Sequence, residues 1–154
     1  MSFCTAVRGV RGILLGALAL ASCSSENTNT GEPTCLAQAE STDCPALYAP
    51  TFDAVFKNTI STTCAATGCH REPNPTGNMA LDEIETAYTN LLAKSPSGEP
   101  RVTPGDVKCG KVIVRLETAG ASYSMPPGRQ LPEGELCSFR QWIANGAKRN
   151  ETAQ

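Results

Sequence analysis

The sequence predicts a small, chiefly helical domain behind an exported N-terminal segment. Three observations carry that expectation. Apolar residues recur at helical spacing in four segments between Thr51 and Ala147. Long loops, 71–78, 95–104 and 120–131, separate them in a chain with 13 Gly and 11 Pro. Aromatic residues make up only 5 % of the 154 residues while cysteines number eight, so aliphatics, disulfides or a cofactor must fill the core. The length suits one domain plus extras. A formal net charge of −2 offers no basic footprint for nucleic acid. A single histidine rules out a His-rich metal site, and no apolar run reaches the roughly 18–20 residues of a membrane span.

Residues 1–22 read as a signal peptide. Arg8 and Arg11 supply a positive start, Ile13 to Ala21 form a short apolar run broken by Gly16, and small residues follow. Leu20-Ala21-Ser22-Cys23 resembles the bacterial lipobox, which implies lipidation of Cys23 and loss of Cys4 with the leader. An ordinary signal peptide with an incidental cysteine is the alternative. Acyl chains on Cys23 would anchor the chain at roughly 0.8 kcal/mol per buried methylene. The expected location is the bacterial cell envelope, on the periplasmic face or the cell surface, where paired thiols oxidise. Loss of the two arginines leaves a more acidic chain. Residues 23–50 then comprise the lipidated cysteine, a flexible tether over Ser24–Pro33, and a small loop expected to be closed by Cys35 and Cys44.

The globular part is expected over 51–147. In its first helix Thr51 is the N-cap, and Phe52, Val55, Phe56 and Ile60 share a face. The second runs from Leu81 to Lys94: Asp82 and Glu83 suit its start, Ile84, Tyr88, Leu91 and Leu92 its buried face, and Pro96 stops it. The third follows Pro104-Gly105-Asp106, with Asp106 as cap and Val107, Ile113, Val114 and Leu116 as apolar residues. Gly110 weakens this helix, and the Val112-Ile113-Val114 run fits a strand equally well. The fourth starts at Pro132, buries Leu136, Phe139 and Ile143, and ends at Gly146. Residues 148–154 read as a frayed polar tail.

Few residues can do chemistry. Cys64-Ala65-Ala66-Thr67-Gly68-Cys69-His70 places the only histidine directly after a cysteine. A Cys-x-x-Cys-His string attaches c-type haem: two thiolates add to the vinyl groups, and the histidine is thereby placed under the iron. Here four residues, not two, separate the cysteines. With no second histidine, methionine is the expected other axial ligand. Met125, in Ser124-Met125-Pro126-Pro127-Gly128, is favoured because the prolines stiffen its loop. Met79, at the start of the second helix, reads better as core. Other outcomes for Cys64 and Cys69 are a mutual disulfide, a zinc site short of its fourth ligand, or a copper site of no familiar arrangement. The four cysteines Cys35, Cys44, Cys109 and Cys137 allow three pairings.

From about Phe52 to Ala147 the chain resembles single-haem c-type cytochrome domains, and in particular those of bacterial surface lipoproteins. The resemblance rests on five pieces in order: Cys64…Cys69-His70, Tyr88-Thr89-Asn90-Leu91, Pro104-Gly105-Asp106, Met125-Pro126-Pro127 and Trp142-Ile143-Ala144-Asn145-Gly146-Ala147. It implies an all-α fold around haem c, thioethers from Cys64 and Cys69, and iron ligation by His70 (proximal) and Met125 (distal). The implied activity is electron transfer between donor and acceptor proteins that the sequence does not identify. In such domains the third and fourth helices pack together, which implies a Cys109–Cys137 pair and leaves Cys35 with Cys44. A haem would offer Phe52, Phe56, Leu91, Leu92 and Ile143 a surface to pack on. Trp142 reads as core or haem neighbour, and Arg71 and Glu72 as solvated. No acid–base or nucleophile constellation marks the chain as an enzyme by itself, although it could serve as the redox subunit of one. The competing expectation is a disulfide-stabilised lipoprotein whose cytochrome-like domain lacks haem and acts as a binding or structural module.

Overall fold

The computed structural model describes residues 31–149, so the expected signal peptide, Cys23 and most of the tether lie outside the described residues. Among those described, regular structure is all helical, with two isolated bridges and no strand. Helix α1, Phe52–Val55, starts where Thr51 Oγ1 accepts from the Ala54 amide at 3.3 Å. It runs on directly as a π-helical stretch, Phe56–Cys64, whose wide turns show in the Ala65 amide donating to the Ile60 carbonyl at 2.8 Å. The sequence explains the widening. Asn58, Ser61 and Thr62 donate their side chains to the carbonyls of Ala54, Lys57 and Asn58. Such back-bonding competes with the α-helical ladder, and π segments are frequent at functional sites.

Helix α2, Ile84–Leu92, begins three residues later than the sequence suggests, because the Leu81 amide is held by the His70 carbonyl at 2.7 Å. Helix α3, Lys111–Glu117, settles the helix-or-strand ambiguity in favour of helix. Gly110 precedes it rather than weakening it: φ is +117°, and a Cβ there would lie 3.0 Å from the Arg101 carbonyl oxygen. Asp106 caps a turn instead of the helix, accepting from the amides of Lys108 and Cys109. Helix α4, Glu133–Ala144, follows Pro132 and stops before Gly146, as its pattern predicts.

The core joins Phe52 and Val55 of α1, Ile113 and Val114 of α3, and Leu136, Phe139, Trp142 and Ile143 of α4. Phe52 is the aromatic centre, with ring centroids 4.9 Å from Tyr88 and 5.4 Å from Trp142. A buried ion pair ties α3 to α4: Arg140 Nε donates to Glu117 Oε1 at 2.7 Å, with both side chains at most 5 % exposed. Tyr48 Oη, Thr59 Oγ1 and Glu135 Oε2 form a hydrogen-bonded row at 2.5 Å per step, joining the segment before α1 to the π segment and α4.

Three expectations are corrected here. The disulfides are Cys35–Cys109 and Cys44–Cys137, neither Cys35–Cys44 nor Cys109–Cys137. The reason is the course of the arm over residues 31–50, which is laid against the domain rather than closed on itself. Its Leu36 amide bonds the Lys108 carbonyl (2.8 Å), the Gly110 amide bonds the Thr34 carbonyl (3.1 Å), and the Leu47 amide bonds the Gly134 carbonyl (2.9 Å). Cys35 thus meets the entry to α3, and Cys44 meets α4. Gly134 permits the approach, since a Cβ there would meet Leu47 Cβ at 3.0 Å. Second, Glu32, expected in a free tether, is bound bidentately by Arg115 (2.6 and 2.8 Å) and by Lys111 (3.1 Å). Third, the start of the polar tail is docked. The Lys148 carbonyl accepts from Trp142 Nε1 at 2.9 Å, and Arg149 pairs with Asp53 and Glu85 while lying 5.5 Å from the Phe52 ring centre.

Candidate functional site

The loop from Cys64 to Leu81 is built by backbone bonds. The His70 amide donates to the Cys64 carbonyl at 3.1 Å, so the four-residue spacer between the cysteines folds into a compact turn and returns His70 to the end of the π segment. Gly68 makes this possible with φ +80°, and the Cys69 amide closes the turn onto the Ala66 carbonyl at 3.0 Å. The Thr76 amide then bonds the Cys69 carbonyl at 2.8 Å, bringing the Thr76 carbonyl oxygen 3.0 Å from His70 Nδ1. A carbonyl only accepts, so Nδ1 carries the proton and the lone pair resides on Nε2. His70 is 8 % exposed, and burial holds its imidazole below the usual pKa against the opposing pull of the Thr76 and Met79 carbonyls.

His70 sits where two cavities meet. The first is a partly open cleft with almost wholly apolar walls, the character of cofactor and ligand sites. Cys64, Cys69, His70 and Met125 all line it, with Ile60, Leu91, Leu116 and Phe139 among its apolar walls. Met79 lines it as well. It lies in the loop between the 3₁₀ turn Thr76–Asn78 and α2 rather than opening the helix. Met125 is held by its amide, which bonds the Arg115 carbonyl near the end of α3 at 2.9 Å. The second cavity shares His70, Thr76, Met79, Val112 and Arg115 with the first and is cationic, bordered by Arg101, Lys111 and Arg115 with Glu32 between the last two.

Cys64 and Cys69 are free thiols, whereas Cys35, Cys44, Cys109 and Cys137 are paired. Burial, with a contribution from the Glu135 charge, pushes the Cys64 thiol up to about 12, so it is protonated at neutral pH. Among the described residues no three His, Cys, Asp or Glu side chains converge as a metal-binding group, so Cys64, Cys69 and His70 alone make no compact chelate.

Of the residues expected to pack on a cofactor, only Leu91 lines the apolar cleft. Phe52 and Ile143 lie in the core, and Phe56 pairs with Phe52 at 6.1 Å. Trp142 is core, at 1 % exposure. Arg71 and Glu72 are exposed. Sequence reasoning missed Phe139 and Leu116 as cleft walls, though both stand on the buried faces of their helices. It also missed Arg101, Arg115 and the Thr76 carbonyl, for which no local pattern exists. Comparison of the chain with protein families, with characterised proteins and with solved structures finds no match.

Proposed function

We propose that the protein is an envelope-anchored c-type cytochrome that carries single electrons on one covalently held haem. One observation carries this reading: two unpaired thiols, a histidine with its Nε2 lone pair available and a methionine converge on one apolar cleft, in a domain whose other four described cysteines are oxidised. The cleft also suits the group in polarity. Its apolar part matches a porphyrin, and the adjoining cationic part matches the two carboxylates a haem carries.

Cys64 and Cys69 would hold the group through thioethers, His70 through Nε2 and Met125 through its sulfur. The bound haem supplies an iron that changes oxidation state by one electron, with a potential raised by methionine ligation. The chain's own contributions follow from the geometry. Thr76 fixes the His70 tautomer, an outer-shell bond that orients a ligand and raises its basicity. Phe139, Leu116, Leu91 and Ile60 supply apolar walls against which the group would pack. Arg115 anchors the Met125 loop through its carbonyl. The disulfides accord with an oxidising compartment, and Cys23 is the proposed lipid anchor.

The test is the absorption spectrum of protein exported from a host with haem-attachment machinery. The reduced protein is expected to show the bands of haem c, and His70→Ala to lose the native form of that spectrum. A colourless, correctly exported wild-type protein would refute the reading and favour the empty, disulfide-stabilised module.

A further inference from the structure

The cationic cavity beside His70 contains two kinds of positive charge. Lys111 and Arg115 are paired with carboxylates: both share Glu32, at 3.1 Å from Lys111 and at 2.6 and 2.8 Å from Arg115, and Lys111 also meets Glu99 at 3.4 Å. Arg101 is not. Its side chain is buried at 7 % residue exposure, and it donates to three backbone carbonyls, those of Asn90 (3.0 Å), Gly77 (3.2 Å) and Asn78 (3.3 Å). No described carboxylate pairs with it. Carbonyl dipoles satisfy its N–H groups without cancelling its charge, and a guanidinium cannot shed its proton to escape burial. Charges in such a partly dry site act at longer reach than in water.

We propose that Arg101 and Glu32 set the reduction potential of the site in opposite directions, Arg101 raising it with an uncompensated buried charge and Glu32 lowering it by masking Arg115 and Lys111. The inference rests on the haem reading above. One electron accepted from a donor protein removes one unit of positive charge from the site. A fixed cation nearby therefore favours the reduced form, and a fixed anion opposes it. Arg101, Lys111 and Arg115 border the same cavity as the His70 ring, with Glu32 among them. Arg101 has a mechanical role as well. By gripping the carbonyls of Gly77 and Asn78 it steadies the residues next to Thr76, whose carbonyl orients His70.

Redox titration of the exported holoprotein separates charge from mechanics. Arg101→Gln removes the charge and keeps an N–H donor; Arg101→Lys keeps the charge and loses the three-way grip. The expected results are a lower midpoint for Arg101→Gln, a midpoint close to wild type for Arg101→Lys, and a higher midpoint for Glu32→Gln. Equal shifts in the two Arg101 variants would reduce Arg101 to a structural clamp and overturn the proposal. So would an unmoved or lowered midpoint in Glu32→Gln, the variant that decides if Arg101→Gln does not accumulate. A wild-type protein without haem c bands overturns the haem reading and this inference with it, whereas coloured variants with unmoved potentials overturn this inference alone.

Discussion

Deleting the Cys44–Cys137 bridge while leaving Cys35–Cys109 intact tests how the arm is fastened. Taken alone, the bridge spans 93 residues. With Cys35–Cys109 in place a shorter route exists: nine residues from Cys44 back to Cys35, then 28 from Cys109 on to Cys137, a closed loop of about 37 residues. Chain-entropy arithmetic for that loop gives a loss of about 4 kcal/mol for Cys44→Ala/Cys137→Ala, less than the roughly 4.7 kcal/mol for the 93-residue loop closed without the first bridge. Cys137 is fully buried, so truncation also leaves a small void that adds to the loss. The assay is equilibrium unfolding in guanidinium chloride under non-reducing conditions, reading ΔG from the midpoint and slope. A loss below about 1 kcal/mol would refute the loop argument. A non-reducing peptide map joining Cys35 to Cys44 would refute the pairing itself.

Other perturbations probe the remaining contacts. Gly134→Ala should lower stability by about 1 kcal/mol despite its better helix propensity, because the new Cβ meets Leu47 Cβ at 3.0 Å; thermal unfolding reads the loss, and Leu47→Gly in the same chain should reverse it. Glu117→Gln should cost about 2–3 kcal/mol by leaving Arg140 buried with only the exposed Glu133 for a charge partner, whereas Glu133→Gln should cost less than about 1 kcal/mol, both by denaturant unfolding. The Arg115 guanidinium beside Glu32 holds its carboxyl below the usual carboxylate range. A depressed folded-state pKa stabilises above the unfolded value, so the stability margin of wild type over Glu32→Gln should be complete near neutrality and should shrink as pH falls below about 4 in acid-unfolding curves.

Much of the helical architecture was legible in the sequence. Helix α4 carried its own punctuation in Pro132 and Gly146, with Leu136, Phe139 and Ile143 on one face. The start of α1 was marked by Thr51 and the Phe52–Val55–Phe56 spacing. Helix α3 was ambiguous because β-branched residues fill it; Gly110 decides the matter from outside the helix, through a close approach to Arg101 that no local pattern records. The cysteine pairing was illegible for a related reason. Residues 31–50 have no periodicity, and their course is fixed by scattered backbone bonds to Lys108, Gly110 and Gly134.

The candidate site divides along the same line. Cys64, Cys69 and His70 are neighbours in sequence, and Met125 was picked out by the prolines that follow it; all four line one cleft. The cationic half was hidden, because Arg101 lies in a loop and binds carbonyls, and because Glu32 belongs to a segment with no apolar residue. Phe52 was assigned to a cofactor wall and instead forms an aromatic cluster with Tyr88 and Trp142, since residues on one helical face can serve either a core or a cleft.

The most direct measurement is the intact and peptide-level mass of the exported protein, purified without reductant. The account predicts a mass gain of one haem, located on the peptide that contains both Cys64 and Cys69, together with the Cys35–Cys109 and Cys44–Cys137 bridges. An unmodified mass, with Cys64 joined to Cys69, would contradict it.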